Sequence, residues 1–315
     1  MAQPTEVAIE IGRRQAKRVI EYRHERRRIR RDALGAAAPP SRARGLVREA
    51  LAAELGPAST GVLLAEGDSW FDYPWTDVLE ELEDRHGYDV EAVSHHGDTI
   101  EEMAYGEGQL GKFVKKLEKL IRRGTLPKAI LLSGGGNDLA GDEFAMLLNH
   151  AGSAEPGLNE QVVSGLIDVR IRLAYVTWLT EVTSVCADQI GAPLPILVHG
   201  YDYSIPDGRG FWGGWGPLPG PWLEPGFRAK GYVPEEGAAD PLKALRRDIV
   251  KQLIDRFNEM LQALPDVPGL GHVRHVNLRE TLKTDETYKE WWANELHPTP
   301  RGFTAVAAKL AAALP

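Results

Sequence analysis

Ser69, Gly97, Asn137 and His297 are the residues of this 315-residue chain that can be assembled into acyl-transfer chemistry. Such chemistry needs a nucleophile, a base to take its proton, and hydrogen-bond donors aimed at the oxyanion of a tetrahedral intermediate. Ser69 ends the triplet Gly67-Asp68-Ser69, directly after the apolar run Val62-Leu63-Leu64-Ala65. A sharp turn at that point sets the hydroxyl at a strand's carboxyl end, the edge at which open parallel sheets bind ligands. His297, in Asn294-Glu295-Leu296-His297-Pro298, is the candidate base. Gly97 offers a backbone N–H with no side chain in the way, Asn137 an amide NH₂ after three glycines, and Ser69 its own N–H as a third donor. A Gly-Asp-Ser triplet alone describes no more than a strand-end turn, so its weight comes from these partners.

The elements that must position these residues are legible as an alternation of short apolar runs with longer amphipathic segments, the pattern of βαβ units on a parallel sheet. Five strands are predicted at 62–65, 88–93, 129–132, 195–198 and 273–276. Helices are predicted at about 76–85, 109–123, 159–190 and 241–263, with a last one from Pro300 to about Leu314. The blocks bearing Ser69, Gly97 and Asn137 each follow a predicted strand, and the block bearing His297 immediately precedes the last helix.

Taken in order, Gly67-Asp68-Ser69, Gly97, Gly136-Asn137-Asp138 and His297-Pro298 resemble the four sequence blocks of the SGNH hydrolase superfamily, the GDSL esterases and lipases. The blocks are short, and it is their joint order over residues 61–315 that is specific. The resemblance implies a three-layer α/β/α fold around a five-stranded parallel sheet of the flavodoxin-like kind. It further implies ester or thioester hydrolysis without a metal or organic cofactor, with Ser69 as nucleophile, His297 as base, and Ser69, Gly97 and Asn137 forming the oxyanion hole. One position departs from the family pattern. Where an Asp usually stands three residues before the histidine, this chain has Asn294. Asn294 or a nearby backbone carbonyl, the adjacent Glu295, or the distant Asp202 are the groups left to orient His297, unless the site works as a Ser-His dyad.

Composition bounds the remaining questions. A hydrophobic content of 43% and a charged content of 26% are those of a soluble globular protein. No apolar run reaches the roughly 20 residues of a membrane span. Arg13-Arg14 have no apolar segment after them, so no export signal is legible and a cytoplasmic protein is expected. The single cysteine, Cys186, reads as a buried structural thiol.

Charge is divided unevenly. Residues 1–44 hold 12 Lys/Arg against 5 Asp/Glu, a net of +7, leaving the rest of the chain with 25 against 40, a net of −15. We therefore divide the chain into a basic helical arm and linker at 1–55 and a hydrolase domain at 56–315. The arm's first reading is a solvated helix lying on the acidic body, its second a contact with another copy of the chain, its last a nucleic-acid or anionic-membrane contact.

Residues 201–234 are dense in Gly, Pro and aromatics and follow the fourth strand, which marks them as a lid or binding wall. Trp212 and Trp215 there, with Trp70 beside the nucleophile, are the substrate-binding candidates, although Trp70 and Phe71 equally suit covering the sheet edge. His95-His96 have no third ligand at metal spacing, His199 reads as packed, and Asp98 and Asp138 as bonding their own turns. The reading in sum is a serine esterase for short to medium acyl esters. Its alternatives are a carbohydrate acetylesterase and a non-catalytic binding protein on the same scaffold.

Overall fold

The computed structural model describes residues 3–35, 59–211, 219–235 and 239–315. Trp212, Trp215 and residues 36–58, which include nearly all of the linker, lie outside the described residues. Five strands form one parallel sheet: β1 Gly61–Glu66, β2 Tyr88–Ala92, β3 Ala129–Ser133, β4 Ile196–His199 and β5 Val273–Val276, in the order β2-β1-β3-β4-β5. β1, β3 and β4 are central and read as apolar runs because both of their faces are covered. Register carries Leu63 against Ala129 and Ile130 against Ile196, so β1, β3 and β4 end level with one another. Glu66, Ser133 and His199 stand at those ends.

Helices fill the crossovers. α2 (Val78–His86) begins on an Asp77 cap that accepts the N–H groups of Leu79 and Glu80, and it packs with the last helix on one face of the sheet. On the other face, α3 (Ile100–Tyr105) and α4 (Gln109–Arg122) precede β3, and α5 (Arg172–Ile190) precedes β4. α5 is entered through a short helix, Glu160–Ser164, and a π-helical segment, Gly165–Ile171. α6 (Lys243–Gln262) leads to β5, and α7 (Pro300–Ala313) closes the chain with Thr299 capping Gly302 N–H and Pro300 in the first turn. The architecture is the three-layer α/β/α form that the resemblance implies. No helix of the described residues is long and apolar enough to cross a membrane.

The N-terminal helix α1 (Pro4–Gly35) lies along α5. Ala8, Ile9 and Ala16 bury themselves in that contact, and Gly12 is required by it, since a Cβ there would come within 2.5 Å of the Thr177 carbonyl oxygen. Farther along, Arg23 and Arg27 both bond the carboxylate of Glu118 on α4, and His24 meets Asp188 at the end of α5. Burial alone would raise the Glu118 carboxyl, but the hydrogen bonds from Arg23 and Arg27 outweigh it and hold it below the ordinary value. The arm is thus packed on the body through small residues at one end and guanidinium–carboxylate bonds at the other.

Two buried carboxyls have no such partners. Among the described residues neither oxygen of Glu66 has a hydrogen-bond partner, and one oxygen of Glu181 on α5 is likewise unpaired. Burial drives the Glu181 carboxyl from 4.5 up to about 9, with Arg18 offsetting part of the rise. The unfolded chain ionises this group near 4.5 and the folded chain does not. Its contribution to stability is therefore intact below that pH and is lost as the pH climbs toward 9. Glu181→Gln is expected to match the wild type in urea unfolding at pH 4 and to exceed it by about 1 kcal/mol or more at pH 8. An equal change at both pH values would show that ionisation is not the cause.

Candidate active site

The turn after β1 is built on Asp68. Its carboxylate accepts the Trp70 N–H at 3.0 Å and the Ser133 hydroxyl at 2.7 Å on one oxygen, and the Tyr201 hydroxyl on the other. Tyr201 in turn accepts the Gly136 N–H at 2.9 Å, and the Asp68 N–H reaches the Ser133 carbonyl. The ends of β1, β3 and β4 are thereby joined through one buried carboxylate. Gly67 is dictated by the same crowding, since a Cβ would lie 2.8 Å from both the Phe71 ring and the Ser133 Cβ. The turn leaves Ser69 half-buried at the carboxyl edge of the sheet.

His297 Nε2 lies 2.8 Å from Ser69 Oγ. Its Nδ1 lies 2.9 Å from Asn294 Oδ1, the same oxygen that accepts the N–H groups of Leu296 and His297. The Asn294 NH₂ faces the Tyr73 hydroxyl at 3.2 Å. Two backbone donors on Oδ1 fix which end of the amide is oxygen, and an oxygen facing Nδ1 fixes the proton there. Nε2 is left as a lone pair directed at the serine hydroxyl.

Glu295 is not at the histidine. Its buried carboxylate accepts the N–H groups of Gly208, Trp222, Leu223 and Glu224, pinning the loop after β4 and capping the short helix Glu224–Ala229. Burial still raises it to about 7 despite those bonds. Asp202 is spoken for as well, accepting N–H groups from Tyr203, Glu280, Thr281 and Leu282. Of the three groups that sequence left open, only Asn294 touches the ring.

Aromatic rings enclose His297. Tyr73 stacks on it with centroids 4.4 Å apart, and Trp222 meets it edge-on at 5.3 Å. This enclosure, with no carboxylate against the ring, holds the imidazole down to about 3 through burial. Neither Tyr73 nor Trp222 was among the sequence candidates. Trp222 belongs to the aromatic-dense segment 201–234 and Tyr73 lies two residues after Phe71, but only the packing sets either ring against His297. Trp70, a sequence candidate for substrate binding, is 2% exposed and donates its indole N–H to the Leu296 carbonyl at 3.0 Å. It braces the serine turn against the histidine loop and borders the cavity with one edge.

The loop after β2 is held to the serine turn by the His95 N–H on the Gly67 carbonyl, and Asn137 Nδ2 donates to the Asp98 carbonyl at 3.0 Å, which leaves its second amide hydrogen free. Among the described residues neither the Ser69 nor the Gly97 N–H has a protein acceptor. Asp138, expected to bond its own turn, instead caps α3 by accepting the Ile100 N–H, and burial raises it to about 6. His199 is buried against Trp70 and Phe71, and Cys186 is buried with its thiol pushed up to about 12. His95 and His96 stack on each other and face Asp98 and Asp72. No group of three His, Cys, Asp or Glu among the described residues is placed to hold a metal ion. Beside Ser69 and Asn137 opens a mainly apolar cavity of about 50 Å³, walled by Leu139, Phe144, Leu223, Leu253, Trp292 and Leu296 among others.

The five-stranded parallel sheet and its three layers are those that the resemblance implies, and the serine, asparagine and histidine blocks come together at its carboxyl edge. No protein-family model matches the chain, and no curated protein matches it. Among solved structures it is similar to a candidate SGNH hydrolase from Slackia heliotrinireducens, at 12% identity over 80% of this chain and 97% of the other, with a TM-score of 0.41. It is also similar to LAE5, an α/β hydrolase from the metagenome of Lake Arreo, at 13% identity over 82% and 96%, TM-score 0.40. A third is a catalytic mutant of Axe2, an acetylxylan esterase from Geobacillus stearothermophilus, at 15% identity over 81% and 94%, TM-score 0.34. Likenesses this distant carry no argument about substrate or mechanism.

Two outcomes follow from the geometry. In NMR titrations His297 should remain neutral down to about pH 5, whereas Asn294→Asp, by setting a carboxylate against Nδ1, should bring its titration up to about pH 6 or above. A wild-type His297 that titrates near 6.5 would contradict the enclosed geometry. Glu295→Ala leaves four N–H groups without their acceptor and should cost about 2–3 kcal/mol in urea unfolding.

Proposed function

We propose that the protein is a serine esterase acting on carboxylic esters with short acyl groups. The observation that carries this reading is the alignment of Ser69 Oγ, His297 Nε2 and Asn294 Oδ1 at 2.8 and 2.9 Å, beside unpaired N–H donors and a small apolar cavity. His297 takes the Ser69 proton as the oxygen attacks the ester carbonyl. The oxyanion is received by the N–H groups of Ser69 and Gly97 and the Asn137 amide. His297 then protonates the departing alcohol, and water, deprotonated by the same ring, cleaves the acyl-enzyme.

The histidine works here without a carboxylate. Asn294 supplies the correct tautomer and orientation, but a neutral amide stabilises the imidazolium less than an ionised acid does. The Tyr73 face, stacked at 4.4 Å, offsets part of that loss through a cation–π contact that exists only once the ring is charged. The arrangement favours moderate rates with a base available well into the acid range, since burial holds the imidazole down to about 3.

Acyl length follows from volume. A cavity of about 50 Å³ accommodates about three to five water-sized positions, the room an acetyl to butyryl chain occupies.

Hydrolysis of a p-nitrophenyl series from acetate to palmitate should peak at two to four carbons and vanish in Ser69→Ala. Asn137→Ala should lose about 10²- to 10³-fold in kcat while folding normally. Absence of wild-type hydrolysis together with failure of Ser69 to react with a fluorophosphonate probe would overturn the esterase reading in favour of a binding protein.

A further inference from the structure

Between α1 and α4 runs a groove of about 610 Å³ that the ester chemistry does not use. Its walls bring together Arg23, Arg26, Arg27, Arg30 and Arg31 of α1 with Arg122 of α4, against a single acid, Glu118. Glu118 is almost wholly buried, its side chain 2% exposed, and it holds Arg23 and Arg27 by two guanidinium nitrogens each, while Gln189 holds Arg27 further. Those two guanidinium groups are fixed in place before anything binds. Arg26, Arg30 and Arg31 are exposed and have no ion-pair partner among the described residues. One carboxylate cannot neutralise six guanidinium groups, and a concave site with this excess of positive charge concentrates multivalent anions.

We propose that this groove binds a small ligand carrying several linked phosphate groups. Guanidinium forks match phosphate oxygens two at a time, and Arg, unlike Lys, stays charged and planar in doing so. Arg26 and Arg30 are one helical turn apart, about 6 Å along the axis, so one extended oligophosphate can engage both together with Arg122 across the groove. The volume lies within the range of small-molecule sites and exceeds what inorganic phosphate alone would fill. Such a ligand would bind α1 to α4 where no apolar residue of α1 is buried, the last being Ala16.

The groove is remote from Ser69. Arg122 ends the helix that leads into the start of β3, and Asp188 and Gln189 end the helix that leads into the start of β4. The arginine cluster therefore lies at the amino edge of the sheet and Ser69 at its carboxyl edge, separated by about a strand's length of 17 Å or more. Occupancy there is expected to stabilise the docked arm and to leave hydrolysis of a small ester unchanged.

Calorimetry of the full chain with inorganic triphosphate and with ATP, at 0.15 M salt, tests the proposal. Saturable one-to-one binding is expected, with a rise in thermal midpoint, affinity falling with added salt, and at least a tenfold loss of affinity in Arg26→Ala/Arg30→Ala. Equal affinity for the two ligands would assign the site to the phosphate chain, and tighter ATP binding to a phosphate chain with a nucleoside attached. Either supports it. The variant's unchanged circular dichroism and unchanged hydrolysis of p-nitrophenyl acetate would separate this result from any failure of the catalytic site. No saturable binding of either ligand, binding that the double variant retains, or an equal effect of sulfate at matched ionic strength would overturn it. So would binding confined to single-stranded RNA or to phosphatidylglycerol vesicles, which would make the face a macromolecular contact.

Discussion

The buried carboxylate of Asp68 ties together three strand ends that otherwise have no common bond. The turn after β1 supplies the carboxylate, β3 supplies Ser133 and the loop after it the Gly136 N–H, and the segment after β4 supplies Tyr201, whose hydroxyl bridges the carboxylate to Gly136. Each of these groups is buried or nearly so, and each would be left unsatisfied if the carboxylate were moved. The Ser69 turn and the loop that carries Asn137 are therefore positioned by the same group. In the esterase we propose, geometry of this kind is set before substrate arrives, which is where electrostatic stabilisation of an oxyanion gains its strength.

The histidine is positioned by a different logic. An ionised acid beside an imidazole orients it and raises its affinity for protons, while the amide of Asn294 does only the first. Here two backbone N–H groups and the Tyr73 hydroxyl fix the amide, the amide fixes the tautomer, and Tyr73 and Trp222 exclude water from the ring. The consequence is an imidazole that is aimed at Ser69 and weakly basic. Asn294 thus trades proton affinity for a neutral ring over a wider pH range.

The aromatic-rich segment after β4 owes its place to Glu295, whose oxygens gather four N–H groups from it. The acid that stands beside the histidine loop's Asn294 is thus used to hold the wall rather than to orient the ring. Trp222 and Leu223, drawn in by the same bonds, reach the imidazole and the cavity respectively. A single buried carboxylate couples the site's enclosure to the loop's stability.

The sequence by itself determined the five strands, the longer helices and the residues that could do chemistry, whereas the short helices Ile100–Tyr105 and Glu224–Ala229 were not foreseen. Apolar runs such as Val62–Ala65 and 129–132 are local signals of strands covered on both faces, and Thr299-Pro300 is a local signal for a helix start. Ser69, Gly97, Asn137 and His297 stand out as candidates because each is a polar or glycine residue next to such a signal. Which carboxyl or amide faces His297 was not legible. Asn294 and Glu295 are adjacent in the chain, and their opposite orientations depend on Tyr73 and on the N–H groups of 222–224, which lie far away in sequence. The arm shows the same division. Its helix and its charge were written in the Arg-rich pattern, but the role of Gly12 and the capture of Arg23 and Arg27 by Glu118 required α5 and α4 to be in place. Local periodicity reports what a segment can form, whereas hydrogen-bond partners and desolvation are properties of contacts between segments, and these exist only after the chain has folded.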